Sequence, residues 1–265
     1  MKTPHSSHSL HEVSTTFCLA RIVGNDLPPR HGIGQTYSNL KFILENEAKF
    51  EDCINFWVVN RIIDPQQESA ILELLNEHNQ AFIHLPFEMI NYDLSWNLNQ
   101  KINHAIQLNT ARNIAIEKAQ TLAKWTMMVD GAICFTKDGW DKTTTEVLSS
   151  SETVLKIKVY RLMKNNQEAF EFAEHKYQAE DEQMLVFTPE ANIRFDEDIP
   201  YGRGEKRELL NLYPNAPLIG YSLRLFDYSK FGFIRELRSV QRLKAMEDLA
   251  KKVDVMYQNQ IRVND

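Results

Sequence analysis

Asn109–Trp140 reads NTARNIAIEKAQTLAKWTMMVDGAICFTKDGW, and the rest of the chain is understood outward from it. It divides into a helix over 110–123 that carries Arg112 and Asn113, a buried strand over Trp125–Val129, and a carboxylate, Asp130, at that strand's C-terminal end. Gly131 follows at once, a turn signal after the strand. In open α/β sheets, ligands gather beyond the carboxyl ends of strands. Asp130 therefore stands where a nucleotide, a metal or both would bind.

Toward the N-terminus the same alternation repeats. Phe17–Val23 is a buried strand ending in Gly24-Asn25-Asp26, and LPPRHGIGQ after it is a loop, since its prolines and glycines break regular structure. Tyr37–Asn46 is a helix with Leu40, Ile43 and Leu44 on one face. Ile54–Asn60 is a second strand, Asp64-Pro65 starts a second helix with Pro at its first position, and Phe82–Leu85 is a third strand. Strands alternating with helices of this length are the mark of a doubly wound, mostly parallel sheet. Residues 87–108 read as a polar, Asn-rich loop.

Beyond Asp130, Asp138–Leu148 reads as a helix whose cap and first turn hold Asp138 and Asp141. Leu155–Leu162, with alternating lysines, reads as an edge or antiparallel strand with one wet face, and Gln183–Phe187 as another strand. A loop over 188–204 leads to a helix over 205–212. A charged helix over 233–258 has Ile234, Leu237, Val240, Leu243, Met246, Leu249 and Val253 at spacings of three and four. The expected organisation is a flexible tail over 1–15, an α/β domain over 16–225 and a helical appendage over 226–265.

Composition narrows the function classes. The 43% hydrophobic content can fill a sizeable core. A net charge of −6 argues against a binder of nucleic-acid polymers. No apolar run reaches the roughly 18–20 residues of a membrane span, and the N-terminal residues lack the apolar stretch of a secretory signal. Cys18, Cys53 and Cys134 lie far apart in apolar contexts, as reduced core cysteines of a cytoplasmic protein do. His5, His8 and His11 repeat every three residues in the tail, where a solvated segment is expected rather than a metal site.

Several polar groups gather at the expected carboxyl edge. Arg21, Gly24 and Asn25 end the first strand, and Arg21 must find an anion there, either a ligand or a structural carboxylate. Arg30 and His31 lie in the loop that follows, facing either a phosphate or solvent. Asn60, Arg61 and Asp64 end the second strand, with Asp64 read as a helix cap and Arg61 left open. Asn109, Arg112 and Asn113 share one helix face.

The ARN helix, the hydrophobic run and the Asp-Gly turn together resemble the middle of a GT-A glycosyltransferase domain, the nucleotide-sugar fold of family 2 and its relatives. The resemblance covers roughly residues 17–210. It implies a GT-A, Rossmann-like α/β sheet flanked by helices. It also implies transfer of a sugar from a nucleoside diphosphate donor to a hydroxyl on a glycan or polysaccharide, by a single inverting displacement. On this likeness Arg21, Gly24, Asn25, Arg61, Asn109, Arg112, Asn113, Asp130 and Gly131 would hold the donor. Asp130 would also bind Mn²⁺ or Mg²⁺, although the triplet Asp130-Gly131-Ala132 lacks the family's second acid. DEDIPYGRGEKRELL (196–210) matches the family's acidic loop, which implies Glu205 as the base on the acceptor, with Asp196, Glu197 or Asp198 as its replacement. Arg203, Lys206 and Tyr201 would face the diphosphate or acceptor, and Trp96, Trp140 and Tyr201 are candidates to stack on sugar rings. Peripheral membrane contact and a homodimer through the last helix stay open. Two other readings remain: a sugar nucleotidyltransferase, and a non-catalytic protein that keeps the fold and binds a glycan or another protein.

Overall fold

The computed structural model describes residues 15–180, 183–201, 205–226 and 235–264; the side chains of 205–208, 235–239 and 263–264 lie outside the description. One eight-stranded sheet runs through it. Its parallel half is built from β1 (Thr15–Val23), β2 (Cys53–Asn60), β3 (Ala81–Leu85) and β4 (Ala123–Asp130). The other half holds β5 (Ile133–Cys134), β6 (Val154–Arg161), β7 (Met184–Phe187) and β8 (Leu218–Arg224), in the overall order β3-β2-β1-β4-β7-β6-β8-β5. The chain leaves β1 toward β2 on one side and later returns to pair β4 with β1 on the other. The carboxyl ends of β1 and β4 are thus a topological switch point, where an open sheet leaves a crevice.

Helices cover both faces. On one face, α4 (Leu108–Gln120) lays Ala111, Ala115, Ile116 and Ala119 over Cys18, Ala20, Ile22, Phe56 and Val58. The small alanines let the helix lie close to the sheet. On the other, α1 (Gln35–Asn46) and α2 (Pro65–Glu77) bury Leu40, Ile43, Ile71 and Leu75 against Val23, Trp57 and Val59. Each such aliphatic side chain contributes about 1.5–3 kcal/mol on burial. Because β1 and β2 are covered on both sides, their sequences are near-continuous apolar runs. Asp64 caps α2, accepting from the backbone N–H groups of Gln66 and Gln67.

Four expectations are corrected. The stretch read as a loop over 87–108 contains α3 (Leu98–Ile106), opened by a capping box between Asn97 and Gln100. β6 pairs antiparallel with β7, as one of the two readings had it, but it is not an edge strand: parallel β8 lies on its other side, and the wet lysines are spoken for, with Lys158 donating to Glu174 and Lys156 to the Pro214 carbonyl. The helix after Asp130 is α5 (Lys137–Ser149), and its cap is Thr136 rather than Asp138. The last helices are α6 (Glu205–Leu212) and α7 (Arg235–Asn264), and the apolar stripe of α7 is only partly buried. Met246, Leu249 and Val253 pack with Ile102, Ala105 and Ile106 of α3, whereas Val240 and Leu243 face solvent. Among the described residues, no helix is long and apolar enough to cross a membrane.

Candidate functional site

The crevice at the switch point is a cleft of about 220 Å³. The turn after β1 (Gly24, Asn25) and the turn after β4 (Asp130, Gly131) form its floor. Gly131 is required by packing: a Cβ there would lie 2.4 Å from the Ile22 carbonyl oxygen, so only glycine lets the end of β4 pass β1 this closely. Gly24 is tight too, its absent Cβ falling 3.3 Å from the Asn60 carbonyl. The Asn25 side chain ties two loops together, donating to the Arg61 carbonyl (2.7 Å) and accepting from Ile63 N (2.7 Å).

At the end of β2, Asn60 also faces the cleft. Its amide donates to the Ile106 carbonyl at 2.7 Å, while its Oδ1 is buried with no hydrogen-bond partner. A buried acceptor left unmade costs about 1–3 kcal/mol, and a ligand donor would recover it.

The opposite wall is cationic. Arg112 of α4 is almost fully buried; its NH1 donates to Asn109 Oδ1 (2.9 Å), its NH2 lies 3.7 Å from Asp130 Oδ1, and its guanidinium sits 4.8 Å from the Phe195 ring centre. Arg224, the last residue of β8, donates NH1 to Asp130 Oδ2 (3.2 Å) and Nε to Glu180 (2.8 Å). Burial raises the Glu180 pKa, but Arg224 and Arg161 outweigh it and hold the carboxyl below its usual range. Arg242 of α7 lines the cleft as well, its guanidinium 5.9 Å from the Tyr201 ring centre. Arg30 and His31, from the loop after β1, complete this side.

Asp130 is the single carboxylate among the described lining residues, and both of its oxygens face guanidinium groups. A divalent ion bound to it would sit roughly 5 Å from each, a repulsion of about 7 kcal/mol per arginine at an effective dielectric near 20. Among the described residues, no group of three or more His, Cys, Asp or Glu side chains could hold a metal ion. Among the described residues the donor set does not fit a divalent metal held by the protein, so the expected metal role of Asp130 is not supported by its described surroundings.

The sequence-derived candidates divide accordingly. Gly24, Asn25, Arg112, Asp130, Gly131 and Tyr201 come together around the cleft. Arg21 does not. It is fully buried on the other side of β1, donating to Glu47 and Asn55 at 2.6 Å each beside the Trp57 ring, so its anion is a structural carboxylate. Arg61 turns away along α3, its Nε donating to the His104 carbonyl at 3.3 Å. Asn109 and Asn113 are positioning groups. Asn109 donates to the Asp196 carbonyl, and Asn113 exchanges hydrogen bonds with the Phe195 backbone and donates to Glu197 Oε1 at 2.8 Å.

Glu197 is therefore pinned to the outer side of α4. Hydrogen bonds from Asn113 and Thr110, then the charge of Arg194, hold its pKa below the usual range, which makes it a weak base. Trp140 stacks on Phe50 (4.2 Å) in the core, and Trp96 packs on Tyr92 and His104, so neither is a sugar platform in this cleft. Arg203 lies outside the described residues, as do His5, His8 and His11; Glu205 and Lys206 open α6, with side chains outside the description. Sequence reasoning missed Arg224 and Arg242. A strand ending in Arg at the ligand edge was the available signal for the first, and nothing local marks the second.

No family model matches the chain, and no curated protein matches it. Among solved structures, it is similar to S. aureus TarS 1–349 in complex with UDP-GlcNAc, at 12% identity over 79% of this chain, with a TM-score of 0.49. It is also similar to the mannosyltransferase PcManGT from Pyrobaculum calidifontis in complex with GDP-Man and Mn²⁺ (14% identity, 91% of this chain, 67% of that one, TM-score 0.43). A third is CMP:2-keto-3-deoxy-manno-octonic acid synthetase complexed with CTP (7% identity, 87% of this chain, 100% of that one, TM-score 0.41). The chain spans 60% and 58% of the two TarS chains it matches. At these TM-scores the likenesses carry no functional argument, and the reading of function rests on the cleft.

Proposed function

We propose that this chain is a glycosyltransferase that binds a nucleoside diphosphate sugar in the switch-point cleft and transfers the sugar to an acceptor hydroxyl. One observation carries the reading. At the carboxyl edge of β1, β2 and β4, a buried unpaired acceptor, Asn60 Oδ1, shares one cleft with the guanidinium groups of Arg112, Arg224 and Arg242. The acceptor suits an N–H or O–H of a base or ribose. The arginines suit a diphosphate, whose charge grows as the sugar bond breaks, so fixed cations there stabilise departure. Asp130 orients two of those arginines, and a ribose hydroxyl is assigned to it as donor.

The acceptor hydroxyl attacks C1 of the sugar as the C1–oxygen bond to the diphosphate breaks, which inverts the anomeric centre. The hydroxyl proton is assigned to Glu205, the first residue of α6, a few residues after Tyr201 of the cleft. Glu197 is a poor alternative because it is already committed to Asn113 and Thr110. A glycan or polysaccharide acceptor remains part of the proposal.

The test is thermal unfolding with a panel of nucleoside diphosphates and nucleotide sugars, followed by assay of diphosphate release from whichever donor binds. A bound ligand raises the midpoint. The expected result is a shift with one base, loss of that shift in Arg112→Gln, and diphosphate release that depends on Glu205. A well-folded sample with no shift for any nucleotide would contradict the proposal. A second reading, nucleotidyl transfer, is favoured by Arg30 and His31 in the loop after β1. It requires a nucleoside triphosphate to bind more tightly than any diphosphate and to exchange pyrophosphate.

A further inference from the structure

We infer that the donor's diphosphate is held by arginines in place of a protein-bound divalent metal, and that Arg242 of α7 is a diphosphate-binding residue. The inference rests on the proposed reading of the cleft and adds the chemistry by which the charge is met. Besides Arg30 in the loop after β1, three arginines reach the cleft from three separate elements: Arg112 from α4, Arg224 from β8 and Arg242 from α7.

The first two are braced from behind. Asn109 holds one edge of the Arg112 guanidinium. Glu180 holds Nε of Arg224 and is itself tied to Arg161 at 2.7 Å. Asp130 bridges the two arginines across the floor of the cleft. A planar, braced guanidinium suits a phosphate oxygen pair better than a flexible ammonium does.

Arg242 differs from both. Among the described residues it makes no ion pair and no hydrogen bond, its Nε is buried without a partner, and its guanidinium sits over the Tyr201 ring. A partly buried guanidinium with unmet donors is unfavourable unless an anion joins it. Its position is fixed from a distance. Ala245, Met246, Leu249 and Val253 dock α7 on α3, and Asp254 accepts from both Lys101 and Tyr92. The last helix therefore delivers a charge to the site, one that the local sequence does not announce.

The experiment is calorimetric titration of the full chain with inorganic pyrophosphate, uridine diphosphate and guanosine diphosphate, in EDTA and in Mn²⁺. The expected result is binding in EDTA within about threefold of that in Mn²⁺, weakening as salt rises. Loss of charged hydrogen bonds predicts binding roughly tenfold to a hundredfold weaker in Arg242→Gln, with partial recovery in Arg242→Lys and no change in Lys252→Gln, on the same helix outside the cleft. Circular dichroism and the unliganded melting midpoint check that each variant folds; if Arg242→Gln does not, the comparison of Arg242→Lys with the parent carries the test, because it keeps the charge and removes the fork. Binding that requires Mn²⁺ would overturn metal independence while leaving the proposed function standing. Binding in EDTA that is unaltered by either Arg242 variant would overturn the role of Arg242. No binding of any probe under either condition would remove the proposed function itself, and this inference with it.

Discussion

Arg21→Met should destabilise the chain severely and leave ligand binding alone. Arg21 is fully buried and Glu47 nearly so, with NH2 to Oε1 at 2.6 Å, and the same Oε1 accepts from Phe135 N at 2.8 Å. Removing one member of a buried pair costs about 3–5 kcal/mol, because the other charge stays buried. The two halves of the pair should differ in pH response. Burial already pushes the Glu47 pKa up against the opposing pull of Arg21. With Arg21 gone it rises further above the unfolded value, so the folded chain takes up the proton first and stability falls as pH climbs toward the folded pKa. The penalty of Arg21→Met should therefore be smaller at pH 6 than at pH 8, by no more than about 1.4 kcal/mol for each pH unit over which Glu47 titrates. Glu47→Gln should cost a similar amount but without that growth at high pH, since the arginine left behind does not lose its proton in this range. The double variant Arg21→Met/Glu47→Leu should return most of the loss. Urea unfolding at pH 6, 7 and 8 measures all three. A loss below about 1 kcal/mol for Arg21→Met, or the same pH response in both single variants, would refute the reasoning. Loss of nucleotide binding from a stable Arg21→Met chain would return Arg21 to the ligand site.

Further perturbations follow from the same contacts. Asn113→Ala removes three hydrogen bonds to Phe195 and Glu197; a loss of about 2–3 kcal/mol is expected, with faster amide exchange at 195–198 than elsewhere. Gly131→Ala places a methyl 2.4 Å from the Ile22 carbonyl; the melting midpoint should fall by an amount equivalent to about 1–3 kcal/mol, and nucleotide binding should fall with it because the cleft floor moves. Glu174 accepts from Lys142, Tyr160 and Lys158, and although burial opposes them these partners lower its pKa from the usual 4.5 to about 2. Its contribution should be complete above about pH 4.5 and be lost as pH falls toward 2, so Glu174→Gln should lower the midpoint at pH 7 and flatten its decline in acid.

The inner strands β1 and β2 were legible because burial on both faces writes strands as near-continuous apolar runs. α1 and α2 were legible from apolar spacing and the Asp64-Pro65 start, and α4 from the ARN stretch ahead of the strand. What escaped depended on distant partners. α3 spans nine residues, and its buried face meets α7, far along the chain; Asn97 and Gln100, three residues apart, were the local trace of it. β8 was not assigned from sequence because Gly220, at φ 40°, sits within it beside a register shift against β6. The site was half legible. Asp130 and Arg112 lie on the elements that shape the switch point, so their neighbourhood could be read from the order of elements. Arg21 occupies the same edge in sequence, yet strand alternation turns it to the opposite face, where Glu47 waits at the end of α1. Arg242 looks like any solvated arginine until α7 is docked.

The most direct measurement is a crystal structure of the full chain soaked with the nucleoside diphosphate that gives the largest thermal shift, in the presence of EDTA. The account predicts density in the switch-point cleft, with the diphosphate among Arg112, Arg224 and Arg242 and a base or ribose donor on Asn60 Oδ1. A cleft without ligand density at saturating nucleotide, or a diphosphate bound away from these arginines, would contradict it.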